Sequence, residues 1–140
     1  FASRFLLADA ARLARRPVVH AAAVRWHATV FASLPGGRPC YRCLFEDIPT
    51  GVVVDCATAG VVGPVCAVAG AIGADMALGL AGGDDSAAGW IATYDGLADR
   101  LRRVPVAARA ACPSCGPAAT LSAIEASRYM GGGCGGEEMT

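Results

Sequence analysis

The stretch Asp55–Gly83, DCATAGVVGPVCAVAGAIGADMALGLAGG, decides how the rest of the chain is read. From Val61 to Leu80 it is almost wholly apolar, and Ala and Gly dominate it. A run of that length is too long for a buried strand and fits a buried helix. A membrane-spanning helix is more often rich in Leu, Ile and Phe, with basic or aromatic flanks. Here Pro64, Asp75 and several glycines interrupt the run. The expectation is therefore a buried soluble helix near residues 64–81, and no membrane span. Upstream, Gly51–Ala57 is a short β-branched run and Thr58–Pro64 a glycine-containing loop, so this region reads as strand, loop, helix.

Working outward, Phe1–Arg16 carries Phe1, Phe5, Leu6, Ala10 and Leu13 at helical spacing, with arginines on the opposite face. Arg15 and Arg16 suit the negative end of the helix dipole, and Pro17 ends the helix. Val18–Val24 reads as a buried strand and Arg25–Ser33 as a second, more clearly alternating one. Pro35, Gly36, Gly37 and Pro39 mark a turn-rich loop. Downstream of the long helix, Gly82–Ser86 is a break, and Trp90–Leu97 and Leu101–Val106 are strand-like. The order of elements gives an α/β fold class, with a long helix on an antiparallel portion of a mixed sheet. Residues 1–116 form the domain. Residues 117–140 read as a partly disordered tail with a short helix at Thr120–Tyr129 and a glycine-rich end.

Seven cysteines are many for a chain of 140 residues without a secretory signal. Four of them form two C-x-x-C pairs, Cys40-Tyr41-Arg42-Cys43 and Cys112-Pro113-Ser114-Cys115. Each pair places two sulfurs on one tight loop, which is two corners of a tetrahedron, and two pairs make a closed all-thiolate zinc site. An ion held there would clip together segments distant in sequence. A thioredoxin-like redox motif needs one such pair beside a strand–helix unit, and here there are two in loops. Disulfides need an oxidising compartment. Structural zinc is the preferred reading, and the chain is expected to be cytoplasmic.

The 12 basic and 12 acidic side chains cancel, so nothing points to nucleic acid or an acidic membrane as partner. Charged residues make up only 17% of the chain, which suggests that part of its surface is covered by a partner subunit or further chain. The opening FASRFLLADA has no starting Met and reads as the middle of a helical region, so the sequence is expected to begin inside a longer protein.

In order, PCYRCLFED (Pro39–Asp47), the Asp55–Gly83 stretch, ATYDGLADRLRRVPV (Ala92–Val106) and CPSCG (Cys112–Gly116) resemble the ThiF/MoeB/HesA adenylyltransferases. These are bacterial relatives of ubiquitin-activating enzymes. The resemblance covers residues 1–116 and places the chain in the C-terminal half of such an enzyme. It implies a Rossmann-like fold with a mixed sheet, ATP and magnesium as cofactors, and homodimers. It also implies a substrate, the C-terminal glycine of a ubiquitin-like β-grasp sulfur carrier of the thiamine or molybdopterin type. The family's glycine-rich nucleotide loop, its ATP-contacting Arg and Lys and its metal-binding Asp would lie N-terminal to Phe1, so the isolated chain is expected to be inactive. Ala8 stands where the family usually has Asn, and Ala28 and Thr29 replace a common Gly-Gln.

The resemblance implies that Cys56 can accept the activated carrier as a catalytic nucleophile, given thiolate character. The alternative is a small core residue. Arg4 can approach the nucleotide, or can be a solvated helix arginine. Cys66 reads as packing, Cys134 as part of the tail, and His20 and His27 as packed or surface strand residues. The functional alternative to an adenylyltransferase is a non-catalytic zinc-stabilised module that binds a carrier or a dimer partner.

Overall fold

The computed structural model describes residues 1–49 and 56–130, without the side chain of Cys56. The strand expected at Gly51–Ala57 therefore lies largely outside the described residues, as do Cys134 and the glycine-rich end.

Helix α1 spans Ala2–Leu13. It stops sooner than Pro17 requires: Arg15 turns to φ 52° and the Arg16 N–H bonds back to the Ala11 carbonyl at 2.8 Å. Arg15 and Arg16 thus lie beyond the helix, and only Arg12 occupies its last turn. Strands β1 (Val18–Val24) and β2 (His27–Ser33) form a hairpin whose register pairs Val24 with His27 across Arg25 and Trp26. The tight turn puts Arg25 at φ 52°. After β2 come two short helices, α2 (Tyr41–Leu44) and α3 (Cys56–Ala59), then α4 (Gly63–Ala81). Strands β3 (Trp90–Asp95) and β4 (Arg100–Pro105) close the fold as a second hairpin. Its turn is built on the Asp95 carboxylate, which accepts the Leu97 and Ala98 N–H groups.

All four strands run antiparallel in the order β1-β2-β3-β4. The mixed sheet expected above is not seen among the described residues, where the one parallel element is an isolated bridge between Arg25 and Val61. Gly96 sits where a Cβ would meet Val65 Cγ2 at 2.9 Å and the Trp26 carbonyl oxygen at 3.1 Å, so the second turn fits under α4 only with glycine.

The two faces of the sheet bury different things. On one, Ala28, Val30, Ala32 and Ala92 pack against Val65, Ala69 and Met76 of α4. On the other, Phe31 and Ile91 pack against Phe5 and Ala8 of α1 and Tyr41 of α2. The long helix forms where expected, but only one of its faces is buried. Its outer face, including Cys66 and the 74% exposed Leu78, is open. Cys66 is therefore not a packing residue within this chain. A helix that is apolar all round pairs one stripe with a single sheet and leaves the rest uncovered. By length and composition α4 is also apolar enough to cross a membrane.

Among the described residues after 116, two are tied to the domain. Leu121 is buried and the Tyr129 hydroxyl donates to Asp9 at 2.9 Å. The helix expected at Thr120–Tyr129 is a single 3-10 turn, Ala126–Tyr129.

Candidate metal centre and the recess beside it

Each cysteine pair is closed by the backbone between its members. The Cys43 N–H donates to the Cys40 carbonyl at 2.9 Å, which opens α2. After the second pair, the Gly116 N–H donates to the Cys112 carbonyl at 2.9 Å. A Cβ on Gly116 would lie 2.5 Å from the Ala110 carbonyl oxygen and 2.6 Å from that of Cys112, so this loop tolerates only glycine.

The four sulfurs lie within 4.8 Å of one another and all four residues are buried. Cys40 Sγ is 3.6 Å from Cys112 Sγ, and Cys43 Sγ is 3.3 Å from Cys115 Sγ. A disulfide needs about 2.05 Å. Tetrahedral thiolates at ~2.3 Å from an ion sit roughly 3.8 Å apart. Two backbone N–H groups also point at sulfur, Arg109 to Cys43 at 3.4 Å and Cys115 to Cys112 at 3.5 Å. Donors of this kind steady metal-bound thiolates from outside the coordination shell. Burial pushes the Cys40 thiol up to about 11 and raises Cys115 as well. Burial also opposes ionisation of Cys112, but the N–H groups of Cys115 and Ser114 outweigh it and hold that thiol at about 7. A bound cation removes this resistance, because a coordinating thiol is deprotonated outright. The donor set fits one tetrahedral ion with no open position, which is a structural site.

The two residues inside the first pair tie the centre to the fold. Arg42 reaches α1, donating through Nε to both Asp9 oxygens at 3.1 and 3.0 Å and through Nη2 to Oδ2 at 2.8 Å. Both side chains are almost fully buried, and the guanidinium also lies 4.9 Å over the Phe5 ring. Burial works against the Arg42 charge, and the bonds and charge of Asp9 more than restore it. Neither Asp9 nor Arg42 stood out in the sequence. The available signal was an acid four residues after Phe5, on the apolar face of α1. Tyr41 points the other way and packs on His20, with ring centroids 4.4 Å apart and ring planes tilted by 38°.

Beside Tyr41, on the sheet face opposite α4, lies a recess of about 370 Å³. Phe31, Leu44, Phe45 and Ile91 make apolar walls, and Arg4, His20, Thr29 and Tyr41 supply its polar groups. Arg4 thus faces this recess, where its charge acts on Tyr41 and His20. His20, placed on a strand by the sequence, is 6% exposed, and its Nε2 has no hydrogen-bond partner among the described residues. Burial, and after it the Arg4 charge, lowers the His20 pKa to about 4, so the ring is neutral near pH 7. His27 is largely exposed, 3.9 Å from Asp95. Cys56 begins α3, and its thiol lies outside the described atoms.

Among curated proteins, the chain is 37% identical over 118 residues to a SAMP-activating enzyme E1 of Haloferax volcanii, covering 83% of this chain and 43% of that protein. It is 38% identical to a sulfur carrier protein adenylyltransferase of Thermus thermophilus, covering 83% and 45%. It is 36% identical to an adenylyltransferase and sulfurtransferase MOCS3 of Sus scrofa, covering 88% and 28%. The chain thus spans less than half the length of these relatives. Among solved structures, the microcin C7 biosynthetic enzyme MccB in complex with N-formylated MccA shares the fold at TM-score 0.63 and 18% identity, covering 79% of this chain and 36% of that one. The ThiF family matches residues 1–116, a segment that holds every strand of the sheet and both cysteine pairs, and the chain belongs to that family.

Proposed function

We propose that this chain is the C-terminal portion of an ATP-dependent adenylyltransferase that activates the C-terminal glycine of a ubiquitin-like sulfur-carrier protein. The observation that carries this reading is the convergence of Cys40, Cys43, Cys112 and Cys115 inside a segment matched end to end by the ThiF family. Relatives named for the same activity support it. Zinc held by the four thiolates would fix the loop after β2 to the loop after β4. ATP and magnesium would bind the part of the enzyme that precedes this chain. In the reaction a carrier carboxylate oxygen attacks the α-phosphorus of ATP, pyrophosphate leaves, and an acyl-adenylate forms. Positioning and charge stabilisation supply most of the rate for such a transfer. Arg4 would stand near the nucleotide. Cys56 would then take the acyl group as a thioester with release of AMP.

The apolar outer face of α4 supports a homodimer, and five described cysteines without a disulfide fit the cytoplasmic reading. The alternative is a non-catalytic zinc-stabilised interaction module, in which the four buried cysteines hold together a surface that binds a carrier or a dimer partner.

The test measures pyrophosphate exchange and thiocarboxylate formation by the full-length protein. Exchange that depends on the carrier supports the enzyme, and its absence in a zinc-loaded protein that still binds carrier selects the module. Cys56→Ala is expected to leave exchange largely intact and to block thiocarboxylate formation. Chelation of the metal, or Cys112→Ser, is expected to unfold the cysteine loops, since structural zinc supplies on the order of 10 kcal/mol of apparent binding energy. Metal content and thermal unfolding read that outcome.

A further inference from the structure

Four thiolates held side by side are a store of electrons as well as a ligand set. Joining two of them as a disulfide removes both from the ion, because the thiolate is the form that binds metal. Which two sulfurs join decides what becomes of the fold. The two close sulfur contacts, Cys40 to Cys112 at 3.6 Å and Cys43 to Cys115 at 3.3 Å, each run from one loop to the other. Each has roughly 1–2 Å to close before it reaches disulfide length. The facing of the loops is set by contacts outside the sulfur cluster. Arg42 anchors the first loop on Asp9 of α1. Arg109, just before the second pair, forms an ion pair with Glu46, just after the first, and its N–H donates to Cys43 Sγ at 3.4 Å. The Thr120 and Leu121 N–H groups both donate to the Pro113 carbonyl inside the second pair at 3.0 Å, and Leu121 is buried. Cys43 is the least buried of the four cysteines, at 8% exposure, and is the first that a small oxidant meets.

We infer that the cysteine centre is also an oxidation site for hydroperoxides, at which Cys40 joins Cys112 and Cys43 joins Cys115 as the ion leaves. This rests on the metal-site reading above and is independent of the carrier. For each disulfide, one thiolate attacks a peroxide oxygen, the O–O bond breaks and hydroxide leaves, giving a sulfenic acid. The thiolate facing it attacks that sulfur, the S–O bond breaks and a second hydroxide leaves. Two molecules of hydrogen peroxide and four protons thus take the four thiolates to two disulfides and four waters. Sulfur is oxidised and peroxide oxygen is reduced. Each cross-loop bond links residues 72 apart, whereas a bond within a C-x-x-C pair links residues three apart. Closing a long loop removes more freedom from the unfolded chain than closing a short one. The oxidised centre therefore still clips the loop after β2 to the loop after β4, with two covalent bonds in place of the ion. Bonds within the pairs would cut that connection. Exchange with an added dithiol returns the thiolates and the metal site.

The experiment treats the zinc-loaded protein with hydrogen peroxide near pH 7, at a dose that oxidises the exposed Cys66. A chromogenic chelator follows zinc release. Disulfides are mapped by mass spectrometry of peptides prepared after free thiols are blocked, and melting temperatures are recorded before and after. The protein is expected to lose its zinc and to yield peptides linked Cys40 to Cys112 and Cys43 to Cys115. Dithiothreitol with added zinc is expected to reverse both changes. The oxidised protein is expected to melt above the reduced protein stripped of zinc by chelation, because its two loops remain joined. Metal content measured before oxidation tests the zinc reading on its own, and the disulfide map tests this inference. Linkage within the pairs, Cys40 to Cys43 and Cys112 to Cys115, would overturn it. Zinc loss with sulfinic or sulfonic acids and no disulfide would do the same, as would a centre that keeps its zinc and thiols at the dose that oxidises Cys66.

Discussion

The two faces of this sheet are made from the same four strands, yet they hold different chemistry. Toward α4 the buried contacts are Ala, Val and Met, with no buried charge among the described residues. Toward α1 and the cysteine centre the layer contains a buried Asp9–Arg42 pair, a neutral histidine and a cluster of aromatic rings around Tyr41. The first face is held by area removed from water, which is non-directional. The second depends on directional bonds that either close completely or cost the fold. The difference teaches where specificity resides: the α4 side fixes that the chain folds, and the opposite side fixes where particular side chains point.

The largest expected effect breaks the second face at its pair. Asp9→Ala leaves the Arg42 guanidinium buried and deprived of its main partner, and unfolding in urea is expected to show a loss of about 3–5 kcal/mol. The double variant with Arg42→Met removes the orphaned charge and is expected to recover much of it. A loss below 1 kcal/mol for the single variant would mean that water reaches the pair, and the contrast between the faces would fail. A smaller effect follows on the first face. Val65→Ala deletes buried methyl groups and is expected to cost about 2 kcal/mol, equally at pH 7 and pH 5.

The smallest expected effect sharpens the contrast through pH. His20 titrates near its ordinary value of 6.5 in the unfolded chain and at about 4 when folded. Between those values the unfolded state binds more protons, so stability rises with pH across that window and is lost on acidification through it. The loss is expected to be on the order of 1–2 kcal/mol after allowance for partial solvent contact. Acid also competes with metal for the thiolates. The measurement is therefore a comparison: His20→Leu is expected to flatten the slope of stability between pH 6.5 and 4, and Val65→Ala to leave it unchanged. Parallel curves for wild type and His20→Leu would remove His20 as the source.

The sequence by itself determined whatever is written in local pattern. Two C-x-x-C pairs specified a four-sulfur centre because spacing alone puts two sulfurs on each loop. A long Ala/Gly run specified a helix, found at Gly63–Ala81. Alternation and turn residues located all four described strands to within a few positions. Only the tertiary structure decided which apolar residues are covered and what the polar ones meet. Cys66 and Leu78 lie on the same helix as Val65 and Met76, yet one sheet can cover only one stripe of a helix that is apolar all round. Tyr41 and Arg42 read as spacers between two cysteines, and they are the anchors that join the centre to β1 and α1. Asp9, His20 and Tyr129 acquired their surroundings from segments far away in the chain. Such pairings leave no local signature, because the desolvation that sets their energy exists only once the distant partner has arrived.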